Sequence, residues 1–308
     1  MAPSSAPRLA GLVAATHTPF HADGSLNLAV VESQAEHLAR SGVTTVFIGG
    51  TTGESSSLTL DERRALGRRW CEVARHAAIK VIVHVGSNCL ADSRLLAEEA
   101  EKLGAVAISA VAPSYFKPRS LELLVASCAD VAAAAPNTPF FYYDIPGLTG
   151  VSFSMAEFLG VAAPKIPTLA GIKFSNPDQM AFTECLRADG GRWQMPWGID
   201  EALLAALALG ATSAVGSTYN FAAPIYNRLI AAFERGDLAT AREEQWRSVQ
   251  LVKLLSGFGY MGAAKATMAM LGVDVGPARL PNGSMTEDQR KSLRSGLEKL
   301  GFFDWVRL

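Results

Sequence analysis

The sequence predicts an α/β fold: a (β/α)8 TIM barrel with a C-terminal helical extension. Three observations carry that expectation. Eight short apolar runs recur along the chain, their starts 19 to 35 residues apart. Each interval leaves room for one helix. Strand-like runs then cease after Arg235, and only helical patterns follow. Alternating strands and helices closed on themselves form such a barrel.

The runs begin near Gly11 (GLVAAT), Thr45 (TVFIGG), Lys80 (KVIVHVG), Val106 (VAISAVAP), Pro139 (PFFYYD), Leu169 (LAGIKFS), Gln194 (QMPWGID) and Ser213 (SAVGST). They are rich in Val, Ile and aromatics and close at Gly, Pro, Ser or Asp, as strands buried on both faces do. Between them, Leu26 to Ala39 carries Leu28, Val31, Ala35 and Leu38 on one helical face. Thr59 fits an N-cap, with Glu62 three residues on to complete a capping box. Asp92 to Leu103 and Ser120 to Ala135 repeat the helical pattern. An open doubly wound sheet would want a Gly-rich phosphate turn after its first strand, and GxGxxG occurs nowhere. Beyond Arg235, the segments Asp237 to Leu255, Met261 to Leu271 and Thr286 to Leu300 read as three helices. Arg279 to Gly283 separates the last two. The expected organisation is a barrel over residues 1–235 and a three-helix extension over 236–308.

Composition narrows the function. The 308 residues are 49% hydrophobic and 19% charged, which suits a large folded core and excludes a disordered chain. The formal net charge is −1 and Lys and Arg are dispersed, so no surface for nucleic acid or anionic membrane is expected. The charge-free stretch Ala202 to Asn227 contains Gly210, Gly216, Asn220 and Pro224. It reads as helix, strand and loop in a core, not as a membrane span. Leu9 to Thr16, after a single Arg8, makes a poor secretion signal. Four cysteines lie far apart without a CxxC pair. The expectation is a cytoplasmic protein with no disulfide framework, no metal and no other cofactor.

A barrel of this kind carries its chemistry at the carboxyl ends of its strands. Lys173, in Leu169-Ala170-Gly171-Ile172-Lys173-Phe174-Ser175, falls at such an end. A lysine there is costly. Keeping it neutral at pH 7 takes about 4–5 kcal/mol from the ordinary pKa, and desolvation can supply much of that. A neutral amine can attack a ketone to form a Schiff base; a lysine snorkelling to a rim carboxylate is the alternative. In Phe140-Phe141-Tyr142-Tyr143-Asp144, strand alternation sends Tyr142 and Tyr143 to opposite sides. One can face the interior near Lys173 and pass a proton, or be a core tyrosine with a satisfied hydroxyl. Gly49-Gly50-Thr51-Thr52-Gly53-Glu54 could form a small anion nest suited to a carboxylate, or an ordinary Gly-rich turn. It lacks the Lys-Ser/Thr ending of a P-loop. Gly198-Ile199-Asp200-Glu201 and Gly216-Ser217-Thr218 would bring carboxylates and hydroxyls to the mouth, suited to a polyhydroxylated ligand. Asp200 could equally be the N-cap of the helix beginning at Glu201.

Taken in order, GTTGE, YYDIPGLTGV, GIKFS, GIDEALL and AVGSTYN resemble the pyruvate-dependent class I aldolase family of dihydrodipicolinate synthase and N-acetylneuraminate lyase. The resemblance runs from Gly11 to about Pro281. YYDIPGLTGV and AVGSTYN look most like the lyase branch, in its animal-type form. It implies that Lys173 forms the imine with the keto carbon and that Tyr143 shuttles the proton at the hydroxyl beside the breaking bond. It implies that Thr51 and Thr52 hold the substrate carboxylate, Thr52 also serving in a hydroxyl relay. Tyr115 matches the relay tyrosine that family members lend to a neighbouring subunit, and the resemblance as a whole implies a homotetramer. Gly198, Asp200, Glu201 and Ser217 would bind sugar hydroxyls, and Ser175 occupies the small hydroxyl position of the lyases. Synthases usually carry an arginine shortly after the tyrosine motif; Leu148 stands there, which favours a neutral sugar over an aldehyde bearing a second carboxylate. Asp144 departs from the Asn or His more common in lyases. The expected activity is cleavage of a sialic acid to an amino sugar and pyruvate. A related aldolase of 2-keto-3-deoxy sugar acids, a dihydrodipicolinate synthase, and a non-catalytic sugar-sensing barrel are the alternatives.

Overall fold

The computed structural model describes residues 8–307. Seven parallel strands are present: β1 (Gly11–Ala15), β2 (Thr45–Ile48), β3 (Lys80–His84), β4 (Ala107–Val111), β5 (Phe140–Asp144), β6 (Leu169–Phe174) and β7 (Ser213–Gly216). Their order is β6-β5-β4-β3-β2-β1-β7, each neighbour parallel to the next.

The eighth predicted run, at Gln194, is where the barrel closes, but it is not a regular strand. On one side Ile172 N–H donates to Gln194 O (3.0 Å) and Phe174 N–H to Pro196 O (2.9 Å). On the other, Trp197 N–H donates to Ser213 O (3.0 Å) and Val215 N–H to Trp197 O (2.7 Å). Pro196 has no N–H to give, so the ladder reduces to isolated bridges. The eight-position barrel therefore stands, with its seventh position irregular.

Side chains sort into two layers. Val13, Phe47, Ile82, Phe141, Tyr143 and Val215 fill the barrel interior. Outward residues such as Ile48, Val83, Tyr142 and Ile172 pack under the helices. The predicted capping box is present: Thr59 Oγ1 accepts from Glu62 N–H, and Glu62 caps Thr59 N–H in return, opening the helix Leu60–Ala77. The helix expected from Leu26 begins only at Val30. Leu26 is used in a bridge to Phe20, and Asn27 N–H donates to Pro19 O, so the intervening residues form a turn.

The expected C-terminal helices are Leu238–Ser256, Tyr260–Met270 and Glu287–Leu300, capped by Asp237 at the first and Thr286 at the last. A further turn, Phe302–Trp305, was too short to show a period. This extension grips the barrel. Lys265 Nζ lies 2.6 Å from Glu54 Oε1, both side chains at most 1% exposed. The ammonium also donates to Thr18 O and Pro277 O. Arg279 reaches Glu62 with both terminal nitrogens and binds Gly24 O and Ser57 O. Thus the GTTGE turn is pinned from outside the barrel. Lys265→Met would strand the Glu54 carboxylate, and a loss of about 3–5 kcal/mol is expected in urea unfolding. Glu54→Gln/Lys265→Met should recover much of it; a single variant as stable as wild type would contradict the pairing.

Candidate active site

Strand alternation alone does not bring Lys173 inward. In β5, Phe141 and Tyr143 face the interior, while Tyr142 turns out to pack on Phe158. In β6, Leu169 faces out and Ala170 in. Continued alternation would then send Lys173 outward. The register slips at this point: Phe140 pairs with Leu169, but Phe141 pairs with Gly171. The bulge resets the alternation, so Ile172 faces out and Lys173 lies beside Tyr143. Gly171 permits it, since a Cβ there would sit 1.8 Å from Gln194 O.

Lys173 is 4% exposed. Its Nζ sits 3.5 Å from the centroid of the Tyr143 ring and donates to Ser175 Oγ at 3.1 Å. Tyr143 hydroxyl and Thr51 Oγ1 are 3.3 Å apart. Burial pushes the Tyr143 phenol up, but the Lys173 ammonium and hydrogen bonds from Lys173, Thr51 and Ser175 outweigh it. The phenol is held below its ordinary range.

These groups open onto a cavity of about 360 Å³ at the carboxyl ends of the strands. Thr51, Thr52, Tyr143, Lys173 and Ser175 line it together with Gly198, Asp200, Glu201 and Ser217. Among the described residues, Lys173 is the one cation in the lining. The N–H groups of Thr51 and Thr52 have no protein acceptor among the described residues, as an anion nest requires. A Cβ on Gly198 would meet Ser175 Oγ at 1.9 Å, so a glycine is needed for that wall.

Other residues fall elsewhere than the sequence suggested. Asp200 is no helix cap. Its Oδ2 accepts from Thr218 N–H (2.8 Å) and Thr218 Oγ1–H (2.5 Å). Tyr115 is 79% exposed and lines no part of this cavity. Leu148 is exposed on the one-turn helix Pro146–Thr149, also outside the lining.

The C-terminal extension completes the mouth. Val252, Ser256, Tyr260 and Met261 line it, and the Tyr260 hydroxyl lies 2.6 Å from Ser217 Oγ. Helical periodicity located these helices but said nothing of which turn meets the barrel. His84 was also missed. Its Nδ1–H donates to Gly49 O at 2.9 Å, supporting the nest from beneath. Arg63 in turn donates to His84 O and Gly86 O. Burial, then Arg63, pulls the His84 imidazole down to about 3, so it stays neutral.

Asp144 faces away from the cavity, buried, with Asn176 Nδ2–H donating to Oδ2 at 3.1 Å. Burial raises its carboxyl to about 6 from 3.8, against the smaller effect of Asn176. The folded state thus favours the protonated form. That stabilisation is full below about pH 4 and lost as pH rises through 6. Asp144→Asn is therefore expected to stabilise the protein by about 2 kcal/mol at pH 8 and by almost nothing at pH 4. Thermal unfolding across pH checks this; equal gains at both pH values would contradict it.

The fold and the site define a (β/α)8 barrel with a buried lysine and tyrosine facing one polar cavity at its carboxyl mouth. A profile of the Dihydrodipicolinate synthetase family matches residues 8–300. The chain belongs to that family. It is 41% identical over 297 residues to N-acetylneuraminate lyase A of Xenopus laevis, covering 95% of this chain and 97% of that protein. The solved N-acetylneuraminate lyase of Proteus mirabilis superposes with a TM-score of 0.93 at 39% identity, covering 96% of this chain and all of that one. A dihydrodipicolinate synthase from Cyanidioschyzon merolae, solved with lysine bound, superposes at 0.87 and 30% identity over 95% of this chain and 98% of its own.

Proposed function

We propose that the protein is a class I aldolase that cleaves N-acetylneuraminate to N-acetylmannosamine and pyruvate. The single observation that carries this is the cavity's balance of charge. Lys173, Tyr143 and the open N–H groups of Thr51 and Thr52 line it together with Asp200 and Glu201, and Lys173 is its one cation among the described residues. Lys173 and the nest suit a keto acid head, and the two acids suit the hydroxyls of a neutral polyol. A second carboxylate on the substrate would meet two acids with no cation beyond Lys173 to balance it. The lyase names of the relatives at about 40% identity support the same reading.

The chemistry follows from these positions. Thr51 and Thr52 hold the carboxylate of the open-chain keto form. The neutral Lys173 amine attacks the keto carbon to give a carbinolamine, and loss of hydroxide, leaving as water with one added proton, yields the protonated imine. Tyr143 takes the proton from the C4 hydroxyl as the C3–C4 bond breaks, releasing the sugar aldehyde and leaving an enamine. Protonation at C3 gives the pyruvate imine, and water returns pyruvate and free Lys173. The held-down phenol pKa makes the phenolate form of Tyr143, the form that can accept a proton, easier to reach. Thr52 and a Tyr115 lent by a neighbouring subunit would extend the hydroxyl relay. The exposure of Tyr115, Phe116 and Leu148 supports contact with a neighbouring subunit, and the homotetramer itself is what the family resemblance implies. The four cysteines are free, in keeping with a reducing cytoplasm. Among the described residues, no helix is long and apolar enough to cross a membrane.

In the condensation direction, pyruvate should add to N-acetylmannosamine much faster than to aspartate semialdehyde. Product identification by NMR tests this. The opposite preference would replace the lyase reading with the synthase one.

A further inference from the structure

Asp200 is tied to the back of the molecule by a line of hydroxyls. Thr218 Oγ1 lies 2.5 Å from Asp200 Oδ2 and 2.7 Å from the Tyr226 hydroxyl. Tyr226 hydroxyl is in turn 2.7 Å from Ser248 Oγ. Thr218, Tyr226 and Ser248 have no solvent exposure. Thr218 has one hydroxyl hydrogen, and an ionised carboxylate can only accept. Thr218 Oγ1 is placed to donate to both Asp200 Oδ2 and the Tyr226 oxygen, with the shorter contact to the carboxylate, and either Tyr226 or Ser248 donates in the last contact. Thr218 Oγ1 is thereby held between Asp200 and Tyr226 in a dry interior, where such contacts are strengthened.

The line crosses three parts of the fold: the turn after β7, the helix Tyr219–Glu234, and the helix Leu238–Ser256 of the extension. The last helix also grips the Asp200 turn itself, three residues earlier, where Gln245 Nε2–H donates to Asp200 O (3.3 Å) and its Oε1 accepts from Leu204 N–H (2.7 Å). Oδ2 is filled by the two Thr218 donors. Oδ1 has no protein partner among the described residues, and Asp200 lines the cavity.

We propose that Tyr226 and Ser248 are positioning residues for the sugar end of the site: the hydroxyl line Ser248–Tyr226–Thr218 fixes the Asp200 carboxylate so that Oδ1 is left to accept from a substrate hydroxyl. Neither side chain touches the cavity. The inference rests on the aldolase reading above. It adds that the C-terminal extension sets sugar recognition through Asp200 as well as by lining the mouth.

Charged and titratable neighbours of Asp200 are few. Glu201 adjoins it, Lys173 lines the same cavity, and the phenols of Tyr219, Tyr226 and Tyr260 lie within range of its charge. Burial raises the Asp200 carboxyl to about 6, and the Thr218 hydrogen bonds oppose that rise. Weakening the line should push it higher still.

The test compares Tyr226→Phe, Ser248→Ala, Thr218→Val and Thr218→Ser with wild type. Three quantities are read: KM and kcat for N-acetylneuraminate, the pH dependence of kcat/KM, and borohydride trapping of pyruvate. Work in an Asp144→Asn background removes the other carboxyl that titrates near 6. Tyr226→Phe should raise KM about tenfold, as expected on weakening a hydrogen bond to a charged group, with kcat changed far less. Its acid limb should move to higher pH, while pyruvate trapping stays as in wild type. Ser248→Ala should move both in the same direction by less. Thr218→Val should exceed both, and Thr218→Ser should restore wild-type behaviour. If Tyr226→Phe does not fold, Ser248→Ala, which deletes one hydroxyl, carries the test. A foldable variant with lowered stability but unchanged KM and acid limb would overturn the proposal. Wild-type protein that traps pyruvate yet cleaves no sugar acid would overturn the function itself, and that outcome is distinct.

Discussion

Lys173→Arg is expected to lower kcat for sugar-acid cleavage by about four orders of magnitude or more. Arginine keeps the positive charge and the length but stays protonated, so it cannot attack a carbonyl. Among the described residues, no second lysine lines the cavity to take over. Lys173→Met is the companion variant, because it is near in volume and carries no charge. Both should fold, both should be inactive, and neither should be labelled by pyruvate and borohydride. Retention of more than about one hundredth of the activity in either variant would exclude imine chemistry at this position.

The second large effect falls on Tyr143. Tyr143→Phe keeps the ring that packs 3.5 Å from Lys173 Nζ and edge-on to Phe47. It deletes only the hydroxyl that meets Thr51. Imine formation should therefore survive, while kcat falls about 10²–10⁴-fold, the usual contribution of a placed acid–base group. Mass spectrometry of the trapped adduct and steady-state assay separate the two. An unchanged kcat would remove Tyr143 from the proton transfer. Loss of labelling as well would assign it to imine formation instead.

Much of the fold was legible because its signals are local. Apolar runs at helix-sized spacing mark the strands, and the Thr59–Glu62 capping box needs only four residues. The regular strand expected at Gln194 failed on a single residue, Pro196, whose missing N–H interrupts the ladder without opening the barrel. The site was legible in its types of residue but not in its geometry. Lys173 and Tyr143 could be named from strand ends. That they face one another depends on the register slip at Gly171, which reflects contact with Gln194 in the neighbouring barrel position. Asp200 shows the limit clearly. Its local pattern suits a helix cap, and only Thr218, 18 residues on, draws it into the cavity wall. Tyr260 and His84 gave no local sign at all. A tyrosine at a helix start and a histidine in an apolar strand are common, and their roles come from contacts with Ser217 and Gly49 far along the chain.

The most direct measurement supplies N-acetylneuraminate alone, adds borohydride during turnover, and maps the adduct by tryptic mass spectrometry. Cleavage through an imine at Lys173 predicts a reduced pyruvyl group on the peptide containing Lys173, with free N-acetylmannosamine in solution. The same experiment in Tyr143→Phe should trap mainly the uncleaved sugar acid on the same lysine. An adduct confined to another lysine, or N-acetylmannosamine released with no trapped enzyme, would contradict the mechanism.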